Sequence, residues 1–306
     1  MKREKNWSRF GREGGRLGDY ARSDLALESP APAAEQTEER VDLEGDFGGG
    51  PVVITRRREA SGASSVTLAC GRITARGEGA LEPLSDLVAR ELRRMAERLL
   101  GRTPGPSCRV LAVGLGNAHM TPDAIGPHTV RRLTATRHLR DYDEALFASL
   151  GCCELSALVP GVLGQTGVES GELVRSAVSL VRPDLVVAVD ALAARSCERL
   201  ASTIQLSDGG ISPGAGVGNH RMAISEETMG CPVLAVGVPT VVDSSTLVWD
   251  ALDKAGIGAD ALPEELHRVL EEGRSFVVSP RDCDHMVELT CRLLAKAMNR
   301  VFGVEE

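Results

Sequence analysis

Three short runs decide most of what this chain can become. Residues 185–189 are wholly apolar, residues 233–238 are apolar apart from one glycine, and residues 109–114 turn apolar after their first residue. Runs of this length fit strands and are too short to cross a bilayer. A strand without a polar side has no face to offer water, so it must be covered above and below. Amphipathic helices are available to cover it. Between 84 and 100 the apolar side chains fall at Leu84, Leu87, Val88, Leu92, Met95 and Leu99, the spacing of a helix with a charged outer face. Residues 168–181 repeat that pattern and stop at Arg182-Pro183-Asp184. The expected fold class is α/β, with a mostly parallel sheet under helices on both faces.

The remaining pattern predicts a hairpin from 52–54 and 65–68 and a helix reaching residue 139. It predicts a strand at 155–159, a short helix at 191–200 and a strand at 202–206. A helix over 244–254, a short strand at 276–278 and a last helix over 282–298 complete it. Before Val52 the composition changes. Residues 1–22 carry seven Lys or Arg against three Asp or Glu, and residues 23–50 carry eight Asp or Glu against one Arg. With a Pro/Ala/Glu-rich stretch and the Gly48-Gly49-Gly50 run, this region is expected to be leader and linker, with order beginning near Val52. The divisions are 1–24, an acidic linker at 25–50, and a body at 51–306.

A net charge of −8 and 3% aromatic residues argue against direct nucleic-acid binding. No secretion leader and no membrane span are read, so a cytoplasmic protein is expected. Eight cysteines form no CxxC pair and no zinc spacing with histidine, which points to reduced thiols.

Ligands of such sheets meet the carboxyl ends of strands. Three strand ends draw attention: Gly114-Leu115-Gly116-Asn117 with Thr121-Pro122-Asp123-Ala124, then Asp190-Ala191-Leu192-Ala193-Ala194-Arg195, then Val238 to Ser244. His119 stands where a dinucleotide loop needs its third glycine, so the glycines read as a tight turn beside a site. Asp123 follows a proline and fits either a helix opening or a functional carboxylate. Asp190 follows five apolar residues, so it fits either an N-cap or a desolvated functional acid. Two carboxyls at neighbouring strand ends can share a proton, one acting as acid and one as base toward water. The glycine-dense loop at 209–218 can lay its backbone against a peptide. Asp282-Cys283-Asp284-His285 reads as a helix N-cap box or a metal cluster.

At these residues the sequence resembles the germination protease family of spore-forming bacteria. The likeness rests on Ser23 to Glu28, Val113 to Asn117, Thr121 to Pro127 and Val159 to Gly167. It continues through Asp190 to Arg195, Ser212 to Asn219 and Gly237 to Asp243. It implies a hydrogenase-maturation-peptidase-like, three-layer α/β/α sandwich. It implies an atypical aspartic endopeptidase, made as a homotetrameric zymogen that removes its own propeptide, with Asp123 and Asp190 as the catalytic pair and no metal or cofactor. It implies small acid-soluble spore proteins as substrates in the developing and germinating spore. Gly214, Gly216, Gly218 and Asn219 are the expected substrate-binding residues. Asp24-Leu25 is the expected processing site, so 1–24 is the propeptide and 51–306 the protease domain. One departure is that family members usually carry a long insertion after the helix at 244–254, whereas here about twenty residues bridge Gly256 to Phe276. The rival readings are a metal-dependent maturation peptidase on the same fold and a non-catalytic sporulation scaffold.

Overall fold

The computed structural model describes residues 23–25, 36–43, 47, 49–59, 62–214, 221–258, 262–272 and 276–304. Its strands are β1 (Gln36–Leu43), β2 (Val52–Glu59), β3 (Ser64–Ala69), β4 (Arg109–Gly114), β5 (Glu154–Leu158), β6 (Leu185–Ala193), β7 (Thr203–Ser207), β8 (Val233–Asp243) and β9 (Val277–Val278). They lie in the order β1-β2-β3-β7-β8-β6-β4-β5, with β9 added to the far end of β8.

The class is α/β, but the sheet is mixed and not mostly parallel. Only β5, β4, β6 and β8 run parallel to their neighbours in that block. The pairs β1·β2, β2·β3, β3·β7 and β7·β8 are antiparallel. The reason lies in the connection from β6 to β7. Residues 194–202 are too few for a crossover helix, so β7 returns against β8 in the opposite direction.

The parallel block is buried on both faces, as its apolar runs demand. Val110 and Ala112 of β4 join a core cluster on one face, while Leu111 and Val113 join a separate cluster on the other. Leu84 and Leu92 of the helix Leu81–Leu100, and Met286 and Leu293 of the helix Cys283–Phe302, pack into the first cluster. Val174 of the helix Ser170–Val181 packs into the second. Each fully buried Leu or Val of this kind contributes about 1.5–3 kcal/mol.

Order begins before Val52, contrary to expectation. β1 lies inside the acidic stretch and pairs with the basic strand β2, where Glu38 meets Arg57 at 2.7 Å and Glu39 meets Arg56 at 3.3 Å. Charge complementarity across two strands compensates for the scarcity of apolar residues. The expected helix reaching residue 139 is broken into the shorter helices Ile125–Val130 and Arg137–Tyr142. The cap box expected at 282–285 is absent. The Asp282 carboxylate accepts from Arg72 and Thr74 and does not cap its helix. Between Gly256 and Phe276 the chain carries the helix Glu264–Glu272. The eight cysteines form no disulfide, and burial pushes the Cys153 thiol up to about 12. No described helix is long and apolar enough to cross a membrane.

Candidate active site

Asp190 does not end its strand. β6 continues to Ala193, and no helix spans 191–200; a single 3-10 turn at Cys197–Arg199 follows. Alanine favours helix, but β8 runs on beside β6 and pairs with Ala191, Leu192 and Ala193. Pairing therefore outweighs propensity. Asp190 is 4% exposed, and its Oδ1 accepts the N–H of Ala191 at 2.9 Å.

A bulge lies next to it. Leu192 sits opposite Pro239 and Ala193 opposite Val241, so Thr240 has no partner on β6. The freed Thr240 hydroxyl, fully buried, donates to the Pro122 carbonyl at 2.6 Å. That bond fastens the 3-10 turn Thr121–Asp123 to β8 and brings Asp123 over the end of the sheet.

Glycine is required where the turn meets the strands. A Cβ on Gly126 would lie 2.3 Å from the carbonyl oxygens of both Leu115 and Val189. Gly116 has φ +106, and a Cβ there would lie 2.1 Å from the Asp123 carbonyl oxygen. The turn after β4 thus closes tightly around Asp123, as its glycines predict. The Asn117 N–H donates to Asp123 Oδ2 at 2.7 Å, while Asn117 Oδ1 accepts from Gln165.

Asp123 and Asp190 line one cleft of about 440 Å³, together with Asp24, Gly214, Arg221 and Thr240. Burial pushes Asp190 well above the ordinary carboxylate range, and the charge of Asp123 adds to the rise, as does that of Asp24. Asp123 is also raised by burial, opposed by the Asn117 N–H and by Arg221. The two carboxyls thus influence each other's titration, with Asp190 the one pushed further toward its protonated form. It can offer an acid and a base to the same bond.

The expected processing site lies in the same cleft. The Asp24 N–H donates to the Ala193 carbonyl at 2.9 Å, and the Ala193 N–H donates to Asp24 Oδ2 at 2.9 Å. β4 pairs β6 only as far as Val189, so residues 191–193 leave an open edge on that side, where Asp24 docks. Leu25 is fully buried in a small apolar cluster with Leu192, Ala194, Leu200 and Val242. Gly214 borders the cleft; Gly216, Gly218 and Asn219 lie outside the described residues. So do residues 1–22.

Sequence reasoning missed three residues here. Thr240 was named only as part of the strand end 238–244, and nothing local marked its role, because a bulge has no periodicity of its own. Arg221 was visible only as the end of the glycine loop. Gln205 was detectable only as the carboxamide on the polar side of the alternating strand Thr203–Ser207. Among the described residues, no group of three His, Cys, Asp or Glu is placed to hold a metal ion.

The germination protease family model matches residues 56–255, a span that contains both aspartates. The chain is 42% identical over 242 residues to the germination protease of Clostridium perfringens strain 13, covering 72% of each chain. It is 37% identical over 305 residues to that of Caldanaerobacter subterraneus subsp. tengcongensis, covering 91% of this chain and 93% of the relative. With the Bacillus cytotoxicus protein it shares 40% identity over 257 residues, covering 78% and 67%.

Proposed function

The chain belongs to the germination protease family and is an endopeptidase; we propose that it cuts peptide bonds with a water molecule activated between Asp123 and Asp190. Asp190, the more deeply buried of the two, holds the shared proton. Asp123, supported by the Asn117 N–H, keeps the charge. Asp123 takes a proton from water as the water oxygen bonds to the carbonyl carbon. Asp190 gives its proton to the departing nitrogen as the C–N bond breaks. A proton passing from Asp123 to Asp190 restores the pair. General acid–base help contributes about 10²–10⁴-fold, so positioning of the peptide supplies much of the remainder.

The observation that carries this reading is the seating of Asp24 in the cleft with both carboxyls. It supports self-processing between Asp24 and Leu25. Residues 1–24 are then the propeptide of a zymogen, 25–50 the linker and 51–306 the protease domain. The substrates are small acid-soluble spore proteins, gripped by Gly214 and the loop through Gly216, Gly218 and Asn219. The enzyme works as a homotetramer in the cytoplasm of the developing and germinating spore, without direct contact to nucleic acid or membrane. Helical layers on each face of the sheet support the three-layer α/β/α arrangement resembling the hydrogenase-maturation peptidases.

The test is cleavage of acid-soluble spore protein by the activated wild-type chain and by Asp123→Asn and Asp190→Asn, each after exhaustive chelation. The expected outcome is cutting by the wild type alone. Either variant cutting at the wild-type rate contradicts the assignment, and wild-type activity lost on chelation and restored by a metal favours a metal-dependent reaction.

A further inference from the structure

We propose that the carboxamide of Gln205 is a catalytic hydrogen-bond donor that polarises the carbonyl of the bond to be cut. Gln205 of β7 is paired with Gly237 of β8, and Gly237 is paired with Asp190 of β6. Residues directly opposite in a sheet project to the same face. Gln205 and Asp190 therefore rise from one face, two strands apart, which is about 10 Å between backbones. Between them stands a residue without a side chain, and a Cβ on Gly237 would lie 2.3 Å from Leu192 Cδ1. The space above Gly237 is thus filled by the Leu192 side chain.

Leu25 of the processing segment packs in one apolar cluster with that Leu192 side chain. Gln205 Nε2 donates to the backbone carbonyl of Asp24 at 3.4 Å. That carbonyl is the one in the Asp24–Leu25 bond. On its two sides, the Asp24 N–H is held by the Ala193 carbonyl and the Leu25 side chain is fully buried. Ile204 and Leu206 face the opposite core cluster, so the strand's pleat directs Gln205 alone of the three to the face that carries Asp190. Gln205 is itself 8% exposed.

As water adds to a peptide carbonyl, its oxygen gathers negative charge. A fixed amide N–H aimed at that oxygen stabilises the charge and transfers no proton. A neutral donor suits a cleft that already holds Asp24, Asp123 and Asp190, because it alters none of their charges. The 3.4 Å bond is long for the ground state and shortens as the oxygen becomes an anion. This role rests on the reading that Asp24–Leu25 is the bond cut.

The experiment follows self-cleavage of the full chain by N-terminal mass over time, for wild type, Gln205→Met, Gln205→Glu and Asp190→Asn. Met fills the space without a donor and is expected to slow cleavage by about 10²–10³-fold. Glu donates only when protonated. Its rate relative to wild type is therefore expected to rise as pH falls. This second readout stands even if the Met variant does not fold. A folded Met variant within about threefold of wild type overturns the proposal, as does a flat Glu ratio. If Asp190→Asn is inert while Gln205→Met is fully active, Gln205 is removed and the aspartate reading remains. A wild-type chain that never opens the Asp24–Leu25 bond removes the processing-site reading and the Gln205 role with it.

Discussion

The two halves of the sheet are held by different forces. In β5, β4, β6 and β8 the strands are parallel, apolar and covered on both faces. In β1, β2 and β3 the strands are antiparallel, and ion pairs supplement the core. Arg56 reaches Glu91 at 2.6 Å and Glu39 at 3.3 Å, and Arg98, near β3, reaches Asp208 at 2.6 Å. Both aspartates are positioned by the apolar half. Gln205 comes from β7, the seam where the two halves meet. Close packing fixes the carboxyls, while the charged half supplies the frame that holds the seam strand in register. The two halves should therefore fail differently when damaged.

The largest effect is expected in the parallel half. Asp190→Asn or Asp123→Asn should lower cleavage by about 10²–10⁴-fold without loss of the fold, read as the rate of product formation alongside circular dichroism. Next comes Gly126→Ala. Its Cβ meets two backbone oxygens that cannot swing away, so it should cost about 1–3 kcal/mol or more and lower the melting temperature. Gly79→Ala, with nothing within 4 Å of its Cβ, should change stability by less than about 0.5 kcal/mol. Equal losses at the two glycines would contradict the close approach argued here.

Damage to the charged half should be milder and confined to stability. Arg56→Ala leaves the buried Glu91 carboxylate without its bidentate partner, at about 1–3 kcal/mol, with cleavage rate unchanged at a temperature where both proteins are folded. Arg40→Ala, whose pair with Asp42 is exposed on both sides, should cost at most about 0.5 kcal/mol. A fall in cleavage rate with Arg56→Ala at full folding would break the division of labour between the halves.

The pH dependence sharpens the same contrast. Asp190 is raised by burial and by its neighbours' charges. Between the unfolded value near 3.9 and the raised folded value, the native state holds more protons than the unfolded state. Its contribution to stability is thus present at low pH and lost as pH rises through the folded value. Asp190→Asn should remove this decline, making the variant the more stable protein at alkaline pH. Parallel unfolding curves for the two proteins across that range would contradict a buried acidic Asp190.

The uneven legibility of the sequence follows the same division. Strands at 185–189 and 233–238 and the helix at 244–254 were readable because burial writes itself into local periodicity. Asp123 and Asp190 stood out because each interrupts or follows such a pattern. β1 was unreadable, since Glu38 and Glu39 owe their strand to Arg57 and Arg56, 19 and 17 residues away. The helix expected at 191–200 was an error of the same origin, because the partner that keeps Ala191-Leu192-Ala193 extended is β8. The antiparallel course of β7 and the placing of Gln205 under the Asp24 carbonyl also depend on pairings that no local pattern records.

The most direct test of the central claim is the N-terminal mass of the full chain before and after activation, in wild type and in Asp190→Asn. The account predicts that wild type acquires Leu25 as its first residue while the variant keeps its original end. A variant that gains Leu25 at the wild-type rate, or a wild type cut at a bond outside the cleft, would contradict it.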